Sequence, residues 1–168
     1  MNEAHFRILF FEHKDAVFRF AWRMTGSIAT AEDVTQDCFL AFYRAPEKYQ
    51  SGRGALRYFL IGVARNLILK CWRAENRFQS LEEDTCLAEP IDAAALETRD
   101  LVAKAVSSLP PLQREALILH EYEGMSLEEV ARLVDTELTA VKARLHRARE
   151  NLRRTLAPLR NRREICNL

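Results

Sequence analysis

The chain has 168 residues, 48% of them hydrophobic, and a formal net charge of +1 from 25 basic and 24 acidic side chains. No apolar run is long enough to span a bilayer, and MNEAHFRILFFEHKD lacks the basic-apolar-small order of a secretion signal, so a cytoplasmic protein without membrane insertion is expected. Five Gly and five Pro suit a mostly helical chain, and the widely spaced Cys38, Cys71, Cys86 and Cys166 show no metal-ligand spacing and read as reduced thiols.

Charge is segregated along the chain. Residues 1–78 carry 12 basic and 8 acidic side chains, residues 79–100 carry one and seven, and residues 101–168 carry 12 and nine. The acidic stretch SLEEDTCLAEPIDAAALETRD lacks strong periodicity up to Pro90 and reads as a flexible linker. Length alone favours one domain. The charge pattern instead predicts an all-α protein of two small helical domains, 1–78 and 97–168, joined by an acidic linker at 79–96.

The first block should hold three helices. Apolar residues recur at helical spacing from Phe6 to Met24, through Leu9, Phe10, Ala16, Val17, Phe20 and Ala21. The triplet TGS at 25–27 breaks the pattern, and Thr30 with Asp33 offers a weak capping box for the next helix. That helix, AEDVTQDCFLAFYR, should stop before Pro46. On a helical wheel Ala31, Val34, Cys38, Ala41 and Phe42 share its inner face. The outer face carries Asp33, Gln36, Asp37, Leu40, Tyr43 and Arg44, and an exposed Leu and Tyr among acids suit a partner interface. A polar loop, EKYQSGRG, precedes a third helix over 55–77, with an apolar stripe of Leu56, Phe59, Leu60, Val63, Leu67 and Cys71. Its basic positions Arg57, Arg65, Lys70, Arg73 and Arg77 lie largely off that stripe.

The second block has sharper punctuation. A helix over 94–108 ends at Leu109-Pro110-Pro111, and Pro111 suits the first turn of LQREALILHEYE, which ends at Gly124. Ser126 and Glu129 form an S-x-x-E capping box for LEEVARLV. A turn at Val134-Asp135-Thr136 leads into a long helix over 137–157. A short capped helix, a tight turn and a second helix make a helix-turn-helix. Val130, Leu133, Val134, Val141 and Leu145 can close its core, with Ala131 small enough for close approach. Along the second helix Val141, Leu145, Ala148, Leu152 and Leu156 face inward; Thr139, Lys142, Ala143, His146 and Arg147 lie opposite, flanked by Arg144 and Arg149. From Leu138 to Arg163 nine basic residues stand against one acid, the footprint of a phosphate-binding helix. The tail APLRNRREICNL is expected to be disordered.

The segment SLPPLQREALILHEYEGMSLEEVARLVDTELTAVKARLHRARENLRRTL resembles the C-terminal domain of an extracytoplasmic-function (ECF) sigma factor of bacterial RNA polymerase. AEDVTQDCFLAFYRAPEKY and LIGVARNLILKCWR resemble that family's N-terminal domain. The resemblance runs from about Phe6 to Leu156. It implies a sigma-two and a sigma-four domain, and a transcription initiation factor that binds core RNA polymerase and reads the −10 and −35 promoter elements. The implied partners are the clamp helices of the largest polymerase subunit, the flap of the second largest, promoter DNA and an anti-sigma factor. Asp33, Gln36, Asp37 and Leu40 become candidate polymerase contacts.

The loop becomes the element that captures a flipped base, through Lys48, Tyr49, Gln50 and Ser51. Tyr58, Arg65, Asn66, Lys70, Trp72 and Arg73 become candidates for gripping the melted strand. Tyr58 and Trp72 equally fit a core role, and Asn66 a structural hydrogen bond. In the last helix Thr139, Ala140, Lys142 and Ala143 lie nearest the bases, while Arg144, His146 and Arg147, with Arg114 on an earlier helix, meet phosphates. The chain departs from the family pattern at Asp135, where Gly is usual, and at Ala140 and Ala143, where hydroxyl residues are usual. Asp tolerates left-handed geometry better than most residues. The competing reading is a stand-alone helix-turn-helix repressor, which leaves the outer face of AEDVTQDCFL without a purpose. Neither a phosphate loop, a nucleophile-base-acid pattern nor metal spacing is present, so neither an enzyme nor a cofactor is expected.

Overall fold

The computed structural model describes residues 2–74 and 98–165, except the side chains of Arg53, Thr98 and 158–165. The proposed linker at 79–96, together with Cys86 and Cys166, lies outside the described residues. The chain divides into two units, Met1–Gln79 and Ser80–Leu168.

The first unit is a bundle of α1 (Glu3–Thr25), α2 (Ile28–Arg44) and α3 (Leu56–Ala74), each packed on the other two. Asn2 caps α1, its side chain accepting from the His5 N–H at 2.8 Å. Gly26 ends α1 at φ 71°, a left-handed cap that a residue with a Cβ adopts at a cost. The break is shorter than expected. Ser27 is the N-cap of α2, accepting from the Thr30 N–H at 3.2 Å, so the helix starts three residues before the Thr30–Asp33 box would place it. Because Gly26 turns the chain within one residue, Ser27 is already in capping position.

The inward faces of α2 and α3 also differ from the wheel. Ala41 is exposed, and Phe39, 2% exposed, takes the inner place. The cause is α1, whose Phe10 ring packs edge-on against Phe39 at 4.8 Å and whose Phe6 ring does so at 6.4 Å. On α3 the buried stripe is Leu60, Ile61, Ala64, Ile68, Leu69 and Trp72. Of the expected stripe only Leu60 is fully buried; Leu56, Phe59, Val63, Leu67 and Cys71 sit half-buried beside it. Apolar residues cover most of the circumference of α3, so contact with α1 and α2 chooses the inner face. Cys38 lies where α2 crosses α3 and donates its thiol to the Leu60 carbonyl at 3.3 Å. Burial pushes that thiol up to about 12, so it stays protonated at neutral pH.

The second unit contains α4 (Thr98–Ser107), α5 (Pro111–Leu117), a π-helical turn (Ile118–Tyr122), α6 (Leu127–Leu133) and α7 (Leu138–Ile165). The long α7 packs against α4, α5 and α6. Pro111 occupies the first turn of α5. The expected helix through Glu123 instead widens: the Glu123 N–H reaches the Ile118 carbonyl at 3.0 Å and the Met125 N–H the Leu119 carbonyl at 3.1 Å. Gly124 closes the turn at φ 73°. At the C-terminus α7 continues to Ile165, past residue 157, where the sequence predicts a disordered tail.

Candidate functional site

The helix-turn-helix forms as its local chemistry dictates. Ser126 Oγ accepts from the Glu129 N–H at 3.2 Å, and Glu129 accepts from the Ser126 N–H at 2.8 Å. The bond from the Ser126 N–H, together with one from the Ser126 side chain, holds the Glu129 carboxyl below the usual range. The Val134 and Thr136 N–H groups bond back to Val130 and Ala131 at 2.9 and 3.0 Å, and Asp135 takes φ 52°. Asp is tolerated there because a short polar side chain eases the left-handed penalty.

This turn sets α7 with Val141, Leu145 and Ala148 buried beneath it. Leu133, Leu152 and Leu156 are half-buried, and Thr155 joins the inner face. Thr139, Lys142, His146 and Arg147 are exposed on the other side, with Ala140, Ala143 and Arg144 half-buried at its edges. Among the described residues Lys142, Arg144 and His146 make no ion pair. Two other cations of α7 do: Arg149 bonds Glu121, and Arg153 bonds Glu150. The nine-to-one excess of bases in the sequence therefore overstates the charge this helix presents.

Arg114 differs from expectation. Its guanidinium donates to the Leu109 carbonyl at 2.9 Å and to the Ser107 carbonyl, so it caps the end of α4. Burial lowers its pKa to about 10, and it remains charged at pH 7. A backbone contact to nucleic acid would require it to leave those carbonyls.

The outer face of α2 is open: Asp33, Gln36, Asp37 and Leu40 are all exposed, Leu40 by 47%. Tyr43, also 47% exposed, packs edge-on against Phe6 at 4.9 Å. Phe6 leads through Phe10 to the exposed ring of Phe11, at 6.3 and 5.6 Å. This aromatic strip across α1 and α2 was not legible in the sequence, because its rings come from helices whose register is set only by packing.

After α2, two 3-10 turns, Pro46–Lys48 and Ser51–Arg53, build the loop. Lys48, Gln50 and Ser51 are exposed. Tyr49 is half-buried; its ring lies 5.5 Å from Phe59 and its hydroxyl donates to the Gly54 carbonyl at 3.2 Å. Beside it opens a cleft of about 570 Å³ lined by His5, Leu9, Glu12, His13, Phe42, Pro46, Tyr49 and Leu56. On α3, Asn66, Lys70 and Arg73 are exposed at i, i+4 and i+7 and share one side, with Tyr58 and Arg65 half-buried beside them. Trp72 is 8% exposed and belongs to the core, so its indole offers no open face for stacking on a base.

Two family descriptions match in order: Sigma-70 region 2 over residues 9–78 and Sigma-70, region 4 over residues 99–152. The chain is 33% identical over 159 residues to the ECF RNA polymerase sigma factor SigL of Mycobacterium tuberculosis, covering 91% of this chain and 89% of that one. It is 34% identical over 155 residues to the ECF RNA polymerase sigma factor SigE of Mycolicibacterium smegmatis, covering 87% of this chain but only 59% of that relative. Among solved structures, the sigma factor RpoE of Bartonella quintana, in complex with the anti-sigma factor NepR, aligns with a TM-score of 0.72 at 25% identity, over 91% of this chain and 97% of that one. With both regions present in order and a full-length relative at this identity, the chain belongs to the ECF sigma factors, a family of transcription initiation factors, and is not a stand-alone repressor.

Proposed function

We propose that this sigma factor docks on the clamp helices of core RNA polymerase through Asp33, Gln36, Asp37 and Leu40, and carries the enzyme to promoters whose −10 and −35 elements it reads with separate domains. Residues 1–78 are the sigma-two domain, 79–96 the linker and 97–168 the sigma-four domain, which also meets the flap. Lys48, Tyr49, Gln50 and Ser51 receive the flipped base. Tyr58, Arg65, Asn66, Lys70 and Arg73 hold the melted strand. In α7, Thr139, Ala140, Lys142 and Ala143 approach base edges, and Arg144, His146 and Arg147 bind phosphates. The chain supplies binding rather than catalysis and works in the cytoplasm.

The observation that carries this reading is the exposed face of α7 at Thr139, Lys142, His146 and Arg147, backed by buried Val141, Leu145 and Ala148. Cations on a rigid support are what a polyanion rewards. Alanine at 140 and 143 removes two hydroxyls, so apolar contact with thymine methyls takes over there. The neighbour from Bartonella quintana is bound to an anti-sigma factor. By analogy this chain too is held inactive by such a partner.

The test is co-elution of the full chain with sigma-free core polymerase on a sizing column, beside an Asp37→Arg variant. A stoichiometric complex that the variant loses is expected. Absence of any complex from the folded wild-type chain would overturn the reading.

A further inference from the structure

Lys142, His146, Arg149 and Arg153 recur at i, i+4, i+7 and i+11, so they form one stripe along α7. By spacing alone the stripe should bind phosphate along its whole length. The first two members are exposed and make no ion pair among the described residues. Arg149, two turns beyond Lys142, is different: its Nε donates to Glu121 Oε1 at 3.2 Å, and its Nη2 donates to the same oxygen.

Glu121 is 28 residues away, on the π-turn that ends α5. That turn is held at several points. The Glu123 N–H bonds the Ile118 carbonyl, the His120 Nδ1–H bonds the Met125 carbonyl at 2.8 Å, and Gly124 supplies the left-handed residue. A π-turn inserts a residue into the helix and redirects the chain beyond it, and such insertions recur at functional sites. Here the turn carries a carboxylate to the side of the recognition helix. Farther along, Gln113 accepts from Asn151 Nδ2 at 2.7 Å, which ties α5 to α7.

We propose that Glu121 is a positioning residue that withholds Arg149 from DNA, ending the phosphate-binding stripe of α7 at His146. The inference rests on α7 being the DNA-reading helix. For Arg149 to reach a phosphate it must leave Glu121, and the bared carboxylate then faces the same polyanion. The pair thus presents no net charge to the backbone and releases no counterion. Sequence-independent affinity, which scales with phosphates neutralised, is held down. Promoter choice then depends more on the base contacts made by Thr139 to Ala143.

The experiment measures binding of the full chain to a fluorescein-labelled random-sequence duplex from about 50 to 200 mM KCl, as the slope of log affinity against log salt. Arg149→Ala should not steepen the slope, since it adds no phosphate contact and bares Glu121. Glu121→Ala should steepen it by about 0.9, the increment for one added phosphate contact. The double variant Glu121→Ala/Arg149→Ala should return to the wild-type slope, which separates release of Arg149 from simple loss of an acid. Arg147→Ala serves as control and should flatten the slope by about 0.9. No change with Glu121→Ala, or a double variant flatter than the wild type, would overturn the proposal while Arg147→Ala still upheld DNA reading by α7. No effect of Arg147→Ala or of any other variant would overturn both.

Discussion

Helices α2 and α7 each bury one stripe and expose another, yet their exposed stripes are opposites. On α2, acids Asp33 and Asp37 flank Leu40 and Tyr43, each 47% exposed. On α7, Lys142, His146 and Arg147 are exposed with Thr139, and no large hydrophobic side chain among the described residues there ranks as exposed. Apolar area rimmed by charge rewards a partner that excludes water, and its contribution changes little with salt. A cationic stripe without apolar area rewards a polyanion, and its contribution falls steeply with salt. On the proposed function, one chain carries a protein-facing and a nucleic-acid-facing helix, distinguishable by ionic strength.

The largest effect expected from breaking this contrast is on α2. Asp37→Arg combined with Leu40→Ala should weaken polymerase binding by at least about 2 kcal/mol, since it inverts a charge and removes an anchor. A pull-down titration at two salt concentrations would show a deficit that high salt does not erase. If high salt restores binding, the face works by charge alone and the contrast with α7 fails.

Next comes α7. Arg147→Ala should leave polymerase binding intact and weaken holoenzyme binding about equally on all promoter sequences, whereas Lys142→Ala should also alter base preference. Binding of the two variants to a randomised −35 library would sharpen the division between base and phosphate contacts; identical profiles would erase it.

A smaller effect lies in the support of α7. Ser126→Ala removes one half of the capping box and should cost about 1 kcal/mol. Thermal unfolding should show the loss in the second unit, with polymerase docking through α2 unaffected.

The smallest effect is on pH. The folded pKa of Glu129 is depressed by its bonds to Ser126. Its contribution is therefore complete above the unfolded value of 4.5 and is lost as pH falls through the folded value. Glu129→Gln should flatten the acid limb of the stability curve below about pH 4.5, measured by helical circular dichroism.

Much of the structure that depends on neighbours a few residues apart was legible in the chain, although the Ser27 cap of α2 and the π-turn at Ile118–Tyr122 were not. The Ser126–Glu129 box, Pro111 in a first turn, the left-handed Asp135 and the inward Val141, Leu145 and Ala148 all rest on such contacts. Helix caps and turns act over three or four residues, and a helix with one clear apolar stripe has one way to face a core. So the helix-turn-helix and the exposed acidic face of α2 could be read from letters.

Where a helix offers more than one face, or a side chain has a choice of partner, tertiary packing decided. Apolar residues surround most of α3, so only contact with α1 and α2 turned Trp72 inward and left Val63 and Leu67 half-buried. Arg114 found the end of α4, and Arg149 found Glu121 across 28 residues. The sequence by itself determined the two helical blocks, most of their punctuation and the sign of charge on each exposed face. The tertiary structure alone decided which of those charges remain unpaired, because an ion pair depends on distance in space, and a π-turn can bring together side chains that no local spacing relates.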